Sequence, residues 1–140
     1  MIGSNGNLFL ILIGLGEPEL AYAFANRSAV LLHLRKYEEC LLDIDQALIN
    51  GYPAESHYKL EERKAKCYLG LNKHSEAIKA CQSVIQLIAQ SHLDPIKKSQ
   101  INRDVQRLLD EARKEPSIKI NAPKHSDEIG NIFIFYSNEF

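Results

Sequence analysis

Apolar side chains recur three and four residues apart along most of this chain, and the polar positions between them mark where each helix starts and stops. Pro18 suits a first helical position, and the pattern predicts a helix from there to about Leu34. A second runs from about Tyr37 to Asn50, ended by Gly51 with Pro53 beyond it, and a third covers about Ala54 to Leu71. Gly70, Asn72 and Lys73 make the next turn, and a fourth helix follows from about Ser75 to Gln90. Asp94-Pro95 reads as an N-cap followed by proline at the first helical position. The fifth helix aligns Ile96, Ile101, Val105, Leu108, Leu109 and Ala112 on one stripe and stops before Pro116.

The pattern repeats. Ser28, Leu31, Cys40, Ile44 and Ala47 have counterparts at Ala65, Tyr68, Ala77, Cys81 and Val84, each 37 residues on. "LRKYEECLLDIDQAL" (34–48) reads beside "LNKHSEAIKACQSVI" (71–85) in the same way. Small side chains let two helix backbones approach, while bulky neighbours fill the groove beside them. The Ala, Ser and Cys that interrupt the apolar stripes are therefore expected at helix crossings, and a recurring helix pair is a stacking unit. The fifth helix, apolar on one face and charged on the other, is expected to cover the end of the stack.

These residues resemble the tetratricopeptide repeat (TPR), a helix pair, with the additional positions falling in "NGYPAES" (50–56). The resemblance implies an all-α fold: a TPR-like right-handed stack of antiparallel helix hairpins with a C-terminal capping helix. Its parts would be an apolar N-terminal segment, 1–17, a helical domain, 18–115, and a loosely structured tail, 116–140. Within the domain, repeat 1 covers about 20–53, repeat 2 about 54–90 and the capping helix about 94–115. The match is good at the small positions and at Tyr37, but His74 and Ser75 replace the usual aromatic residue in the second copy. Glu19 to Ile78, through "GYP" and "LEERKAKCYLGL", is similar to the repeat region of the TPR-bearing subfamily of SET- and MYND-domain lysine methyltransferases. Two repeats make a short array, so the chain is expected to be a piece of a longer product.

In such repeats the first helix of each pair lines a concave groove, and side chains four apart point into it. Asn26 and Arg63 lie 37 apart, hence at the same place in successive units, and Lys59 is one turn before Arg63. Two cations beside a neutral amide offer a seat for a peptide carboxylate, because Arg presents a planar fork and Lys a mobile charge. The set is similar to the clamp with which some TPR proteins hold acidic chaperone tails. Of that clamp, Asn26, Lys59 and Arg63 carry over, whereas Tyr22 stands where another polar residue would have helped. The bland alternative pairs Lys59 and Arg63 with Glu55, Glu62 or other carboxylates on a solvated face, and has Asn26 bond to nearby backbone.

Composition narrows the chemistry. The chain has 140 residues, enough to bury a core, and its 17 basic residues nearly balance 18 acidic ones. Neither nucleic acid nor an anionic membrane is an expected partner. Cys40, Cys67 and Cys81 fall inside helical patterns without Cys-x-x-Cys spacing, and are expected as reduced, buried residues of an intracellular protein, in the cytoplasm or nucleus. The five His residues are scattered, and no phosphate loop or nucleophile motif is present, so neither a catalytic site nor a metal site is expected. S-adenosylmethionine and zinc are implied for the SET and MYND domains of the methyltransferase subfamily, with no cofactor on this chain. A second reading makes the product a protein-lysine methyltransferase whose catalytic parts lie outside this chain. A third takes "NLFLILIGLG" (7–16) for a secretory signal cut near Ala21-Tyr22-Ala23, although the run is too short to span a bilayer and lacks a preceding basic residue. In the tail, Ile132 to Tyr136 has strand-like composition without a partner strand.

Overall fold

A computed structural model describes residues 17–114. The apolar run at 7–16 and the strand-like segment at 132–136 lie outside the described residues. Five helices follow one another: α1 (Pro18–His33), α2 (Tyr37–Ile49), α3 (His57–Gly70), α4 (His74–Ala89) and α5 (Pro95–Arg113), with a 3-10 turn at Ala54–Ser56 leading into α3. There is no strand among the described residues. α1 packs on α2 and α3 on α4; α3 also touches both helices of the first hairpin, and α5 lies on α4 and α3. The result is a TPR-like, all-α stack of helix hairpins, with α5 in the covering position.

The two hairpin turns match in detail. Arg35 and Asn72, 37 residues apart, both take left-handed backbone, with φ of 60° and 57°. Lys36 N donates to Leu31 O and Lys73 N to Tyr68 O, each at 2.8 Å, which satisfies carbonyls left open at the helix ends. Such a turn reverses the chain within three residues and holds the paired helices antiparallel.

The small residues sit where the helices meet. Ser28 and Ala65 are each 0% exposed. One core cluster joins Ala25, Cys40, Ile44, Ala47, Leu60 and Cys67, fastening the first hairpin to α3. The other runs through Tyr58, Ala65, Cys81, Val84, Ile88, Val105 and Leu109, fastening α4 and α5 to α3. All three cysteines are buried free thiols. Asp94 caps α5, accepting bonds from the backbone N–H groups of Ile96 at 3.1 Å and Lys97 at 3.2 Å.

The position that departs from the TPR pattern keeps its structural task by other means. Tyr37, at the start of α2, lays its ring against Gly70 at the end of α3, where any Cβ would collide with it. His74 occupies the equivalent place at the start of α4, and its Nδ1 lies 3.0 Å from Ala112 O near the end of α5. A ring packed on glycine and an imidazole bonded to a carbonyl both tie one hairpin to the end of the next leading helix.

Candidate functional site

Arg63 is the best determined of the residues expected in the groove. Half-buried on α3, it donates through Nη1 to Ala25 O at 2.9 Å and to Ser28 Oγ at 2.8 Å on α1. Ser28 Oγ donates in turn to Ala25 O at 2.6 Å, and Cys40 Sγ donates to Ser28 O at 3.0 Å. A polar clasp therefore crosses the boundary between the hairpins, immediately beside Asn26. Its inner end is a thiol pair. The Cys40 thiol is shifted downward, chiefly by its hydrogen bond with Cys67, against burial and with help from the Arg63 charge. Cys67 is pushed up by the same bond and by burial.

Asn26 is exposed on α1, and its side chain makes no hydrogen bond among the described residues. Lys59 is exposed in the first turn of α3, with Nζ 6.0 Å from the ring centroid of Tyr58. The ion pairs that would have neutralised this stripe do not form among the described residues. Glu62 pairs with Lys66 at 3.0 Å and Glu61 with Lys64 at 3.2 Å, which leaves Lys59 and Arg63 without a carboxylate partner there. The structure thus brings Arg63 onto the helix that carries Asn26; Lys59 precedes it by one turn and bonds to neither.

Further along, a depression of about 490 Å3 between α3 and α5 is lined by Glu62, Lys66, Asp104, Arg107, Leu108 and Glu111. Lys66 and Arg107 are each held by an acidic neighbour, Glu62 and Asp104 respectively. Three acids and two bases line this depression, and both bases are paired, whereas Lys59 and Arg63 have no carboxylate partner among the described residues.

Two contacts that shape the site follow no repeat. Arg27 grips Asp43 with a bidentate fork, Nε to Oδ2 at 2.6 Å and Nη2 to Oδ1 at 2.8 Å, locking α1 to α2. Their counterparts 37 residues on are Lys64 and Ala80, which cannot reproduce the pair, so the internal repeat conceals it. Tyr22, at the place equivalent to Lys59, meets Tyr52 of the "GYP" connection edge to face at 5.5 Å. His57 also stacks with Tyr52, with Nε2 2.6 Å from Tyr52 O. The aromatic residues of the connection brace the leading helices of the two hairpins.

Among the described residues no cluster of three or more His, Cys, Asp or Glu side chains could hold a metal ion. No described helix is long and apolar enough to cross a membrane.

Comparison with known proteins agrees with this architecture. The chain is 39% identical over 99 residues to protein-lysine N-methyltransferase SMYD4 of Gallus gallus, a match covering 71% of this chain and 13% of that protein. SMYD4 of Homo sapiens is 31% identical over 106 residues, 75% of this chain and 13% of its own length. Hsp70-Hsp90 organizing protein 3 of Arabidopsis thaliana is 25% identical over 123 residues, 85% of this chain and 22% of that one. The chain thus spans about an eighth of the length of the first two relatives. No family model matches it. No solved structure matches it either. Its TPR-like helical region resembles a stretch of the SMYD4 protein-lysine methyltransferases, within the subfamily to which the wording of Glu19 to Ile78 is similar.

Proposed function

We propose that this module binds protein partners by holding the free carboxylate of an acidic C-terminal peptide on Asn26, Lys59 and Arg63. The observation that carries the reading is the clasp. With Nη1 fastened to Ala25 O and Ser28 Oγ, the guanidinium is oriented before any ligand arrives, while Nε and Nη2 have no protein acceptor among the described residues. A pre-oriented cation loses little freedom on binding and offers charge-assisted bonds to a carboxylate. Lys59 adds an unpaired charge one turn away, and Asn26 can donate from the neighbouring helix. The similarity to a protein named as an organiser of Hsp70 and Hsp90 supports chaperone tails as one class of partner.

The test is a titration of the purified chain with acidic peptides in free-acid and C-terminally amidated forms. The free acid is expected to bind at least tenfold more tightly, and Lys59→Ala or Asn26→Ala to erase that difference. Equal binding of both forms by the unaltered chain rejects the reading.

A second reading rests on the names of the SMYD4 relatives: the parent protein methylates protein lysines with S-adenosylmethionine, and the repeats position its substrate. The S-adenosylmethionine and zinc sites would belong to SET and MYND domains, and this chain would act inside the cell as their non-catalytic binding module. Methyl transfer to a protein by the purified chain alone would overturn that assignment.

A further inference from the structure

Cys40 and Cys67 form a pair that the repeat does not require. At the equivalent places 37 residues on stand Ala77 and Asp104, so a hairpin boundary packs closely without sulfur. Both cysteines are nonetheless 0% exposed and lie in the core cluster that fastens the first hairpin to α3. Cys40 belongs to the first turn of α2 and Cys67 to the last turn of α3. Helix ends open more readily than helix middles, and the half-buried Tyr37 packs against this cluster from the surface.

The two sulfurs are already in contact. Cys40 Sγ accepts a hydrogen bond from Cys67 and donates to Ser28 O at 3.0 Å, while Ser28 Oγ receives Nη1 of Arg63 at 2.8 Å. The guanidinium favours a thiolate at Cys40, the nucleophilic form of a thiol, and leaves Cys67 as the proton-bearing neighbour. A disulfide of about 2.05 Å would join sulfurs that already face each other. Cys81 is the contrast: buried as deeply, it sits in the other core cluster, which holds no second cysteine.

We propose that Cys40 and Cys67 are an oxidative modification site, in which hydrogen peroxide converts Cys40 to a sulfenic acid and Cys67 then closes a disulfide that bolts the first hairpin to α3. The Cys40 sulfur attacks one peroxide oxygen, the O–O bond breaks, and the departing hydroxide takes the Cys40 proton and leaves as water. The Cys67 sulfur then attacks the Cys40 sulfur, an S–S bond replaces the S–O bond, and the hydroxide leaves with the Cys67 proton as a second water. Two thiols thus lose two electrons, and one peroxide is reduced to two waters. Peroxide is scarcely larger than water, which suits it to a pair that bulky disulfides reach only when the hairpins part. The bond fixes the hairpin that carries Asn26 to the helix that carries Arg63, whatever the module binds.

In the experiment the whole chain, reduced and freed of reductant, is exposed to hydrogen peroxide, then denatured, alkylated and weighed. One of the three thiols should remain open to alkylation, and peptide mapping should join Cys40 to Cys67. Dithiothreitol should restore all three. The two cysteines are 27 residues apart, so the bond should raise the melting temperature by about 10 °C. Cys67→Ala should accumulate a sulfenic acid on Cys40, trapped by dimedone, whereas Cys81→Ala should still form the bond. Retention of all three thiols, oxygen added to a cysteine without a link, a link to Cys81, or a link between chains overturns the inference. So does thiol loss that grows in step with the unfolded fraction in dilute urea, because the bond then belongs to the unfolded chain. These readings come from the unaltered chain, so they decide the matter even if Cys67→Ala fails to fold.

Discussion

Replacing Arg63 with Met tests whether the clasp between hairpins holds the stack together. Methionine keeps a long apolar stem at the half-buried position, so the loss is confined to the guanidinium. Two bonds disappear, Nη1 to Ala25 O at 2.9 Å and Nη1 to Ser28 Oγ at 2.8 Å. Bonds from a charged donor contribute about 1.5–3 kcal/mol each. The lower end applies here, because Ser28 Oγ keeps its own bond to Ala25 O at 2.6 Å and is not orphaned. Partial exposure of Arg63 screens its charge, which brings the expected loss to about 2–3 kcal/mol. For a helical domain of this size the melting temperature should fall by roughly 10–15 °C. Lys59→Met is the control. Lys59 makes no hydrogen bond or ion pair among the described residues, so its replacement should stay within about 0.5 kcal/mol. The assay is urea and thermal unfolding followed by far-ultraviolet circular dichroism at constant ionic strength, completed by a cycle with Ser28→Ala. A coupling of about 1 kcal/mol between Arg63 and Ser28 is expected. The reasoning fails if Arg63→Met costs no more than Lys59→Met, or if the cycle shows the two residues acting independently.

Other consequences follow from the same contacts. The Asp43 side chain is 6% exposed and that of Arg27 64%, so Arg27→Ala strands a buried carboxylate whereas Asp43→Ala frees a solvated cation; chemical denaturation should show Arg27→Ala as the more damaging. Burial raises Cys81 above its ordinary value of 9.0 and Tyr58 above 10.0. The folded chain keeps these protons where the unfolded chain releases them, so this stabilisation is fully present below pH 9 and is lost progressively as the pH rises beyond the ordinary values of 9.0 for Cys81 and 10.0 for Tyr58. Cys81→Ala should flatten the first part of that decline in a pH series of urea melts. Gly70→Ala would drive a methyl group into the Tyr37 ring, and a loss of about 1–3 kcal/mol is expected that Tyr37→Ala partly relieves in the double variant. Arg35 is held at a φ of 60°, so Arg35→Gly should raise stability by about 0.5–1 kcal/mol, readable as a higher melting temperature.

Much of this protein is legible residue by residue because helices are local objects. Their spacing, their breaks and the recurrence at 37 residues depend on bonds that span one turn, and the structure has all five helices close to the boundaries the pattern predicts. The start of the third is the exception, where Ala54–Ser56 forms a 3-10 turn ahead of α3. Ser28 and Ala65 were likewise recognisable as close-approach positions, since small side chains inside an apolar stripe have few other uses in a stacking unit. Even the paired left-handed turns at Arg35 and Asn72 occupy equivalent places in the repeat.

The choice of partners was not legible in this way. Spacing allowed Lys59 and Arg63 to pair with Glu55 or Glu62, but Glu62 turned to Lys66 while Arg63 reached across to the carbonyl of Ala25. The fork between Arg27 and Asp43, the contact of Tyr22 with Tyr52, and the thiol pair of Cys40 and Cys67 arise in the same manner. Each joins residues whose separation is set by how helix axes lie against one another, a quantity that local periodicity does not encode. The sequence by itself determined which helices form and where they approach. Tertiary packing decided which charges remain unpaired, because long polar side chains bond to whatever acceptor the assembled stack brings within reach.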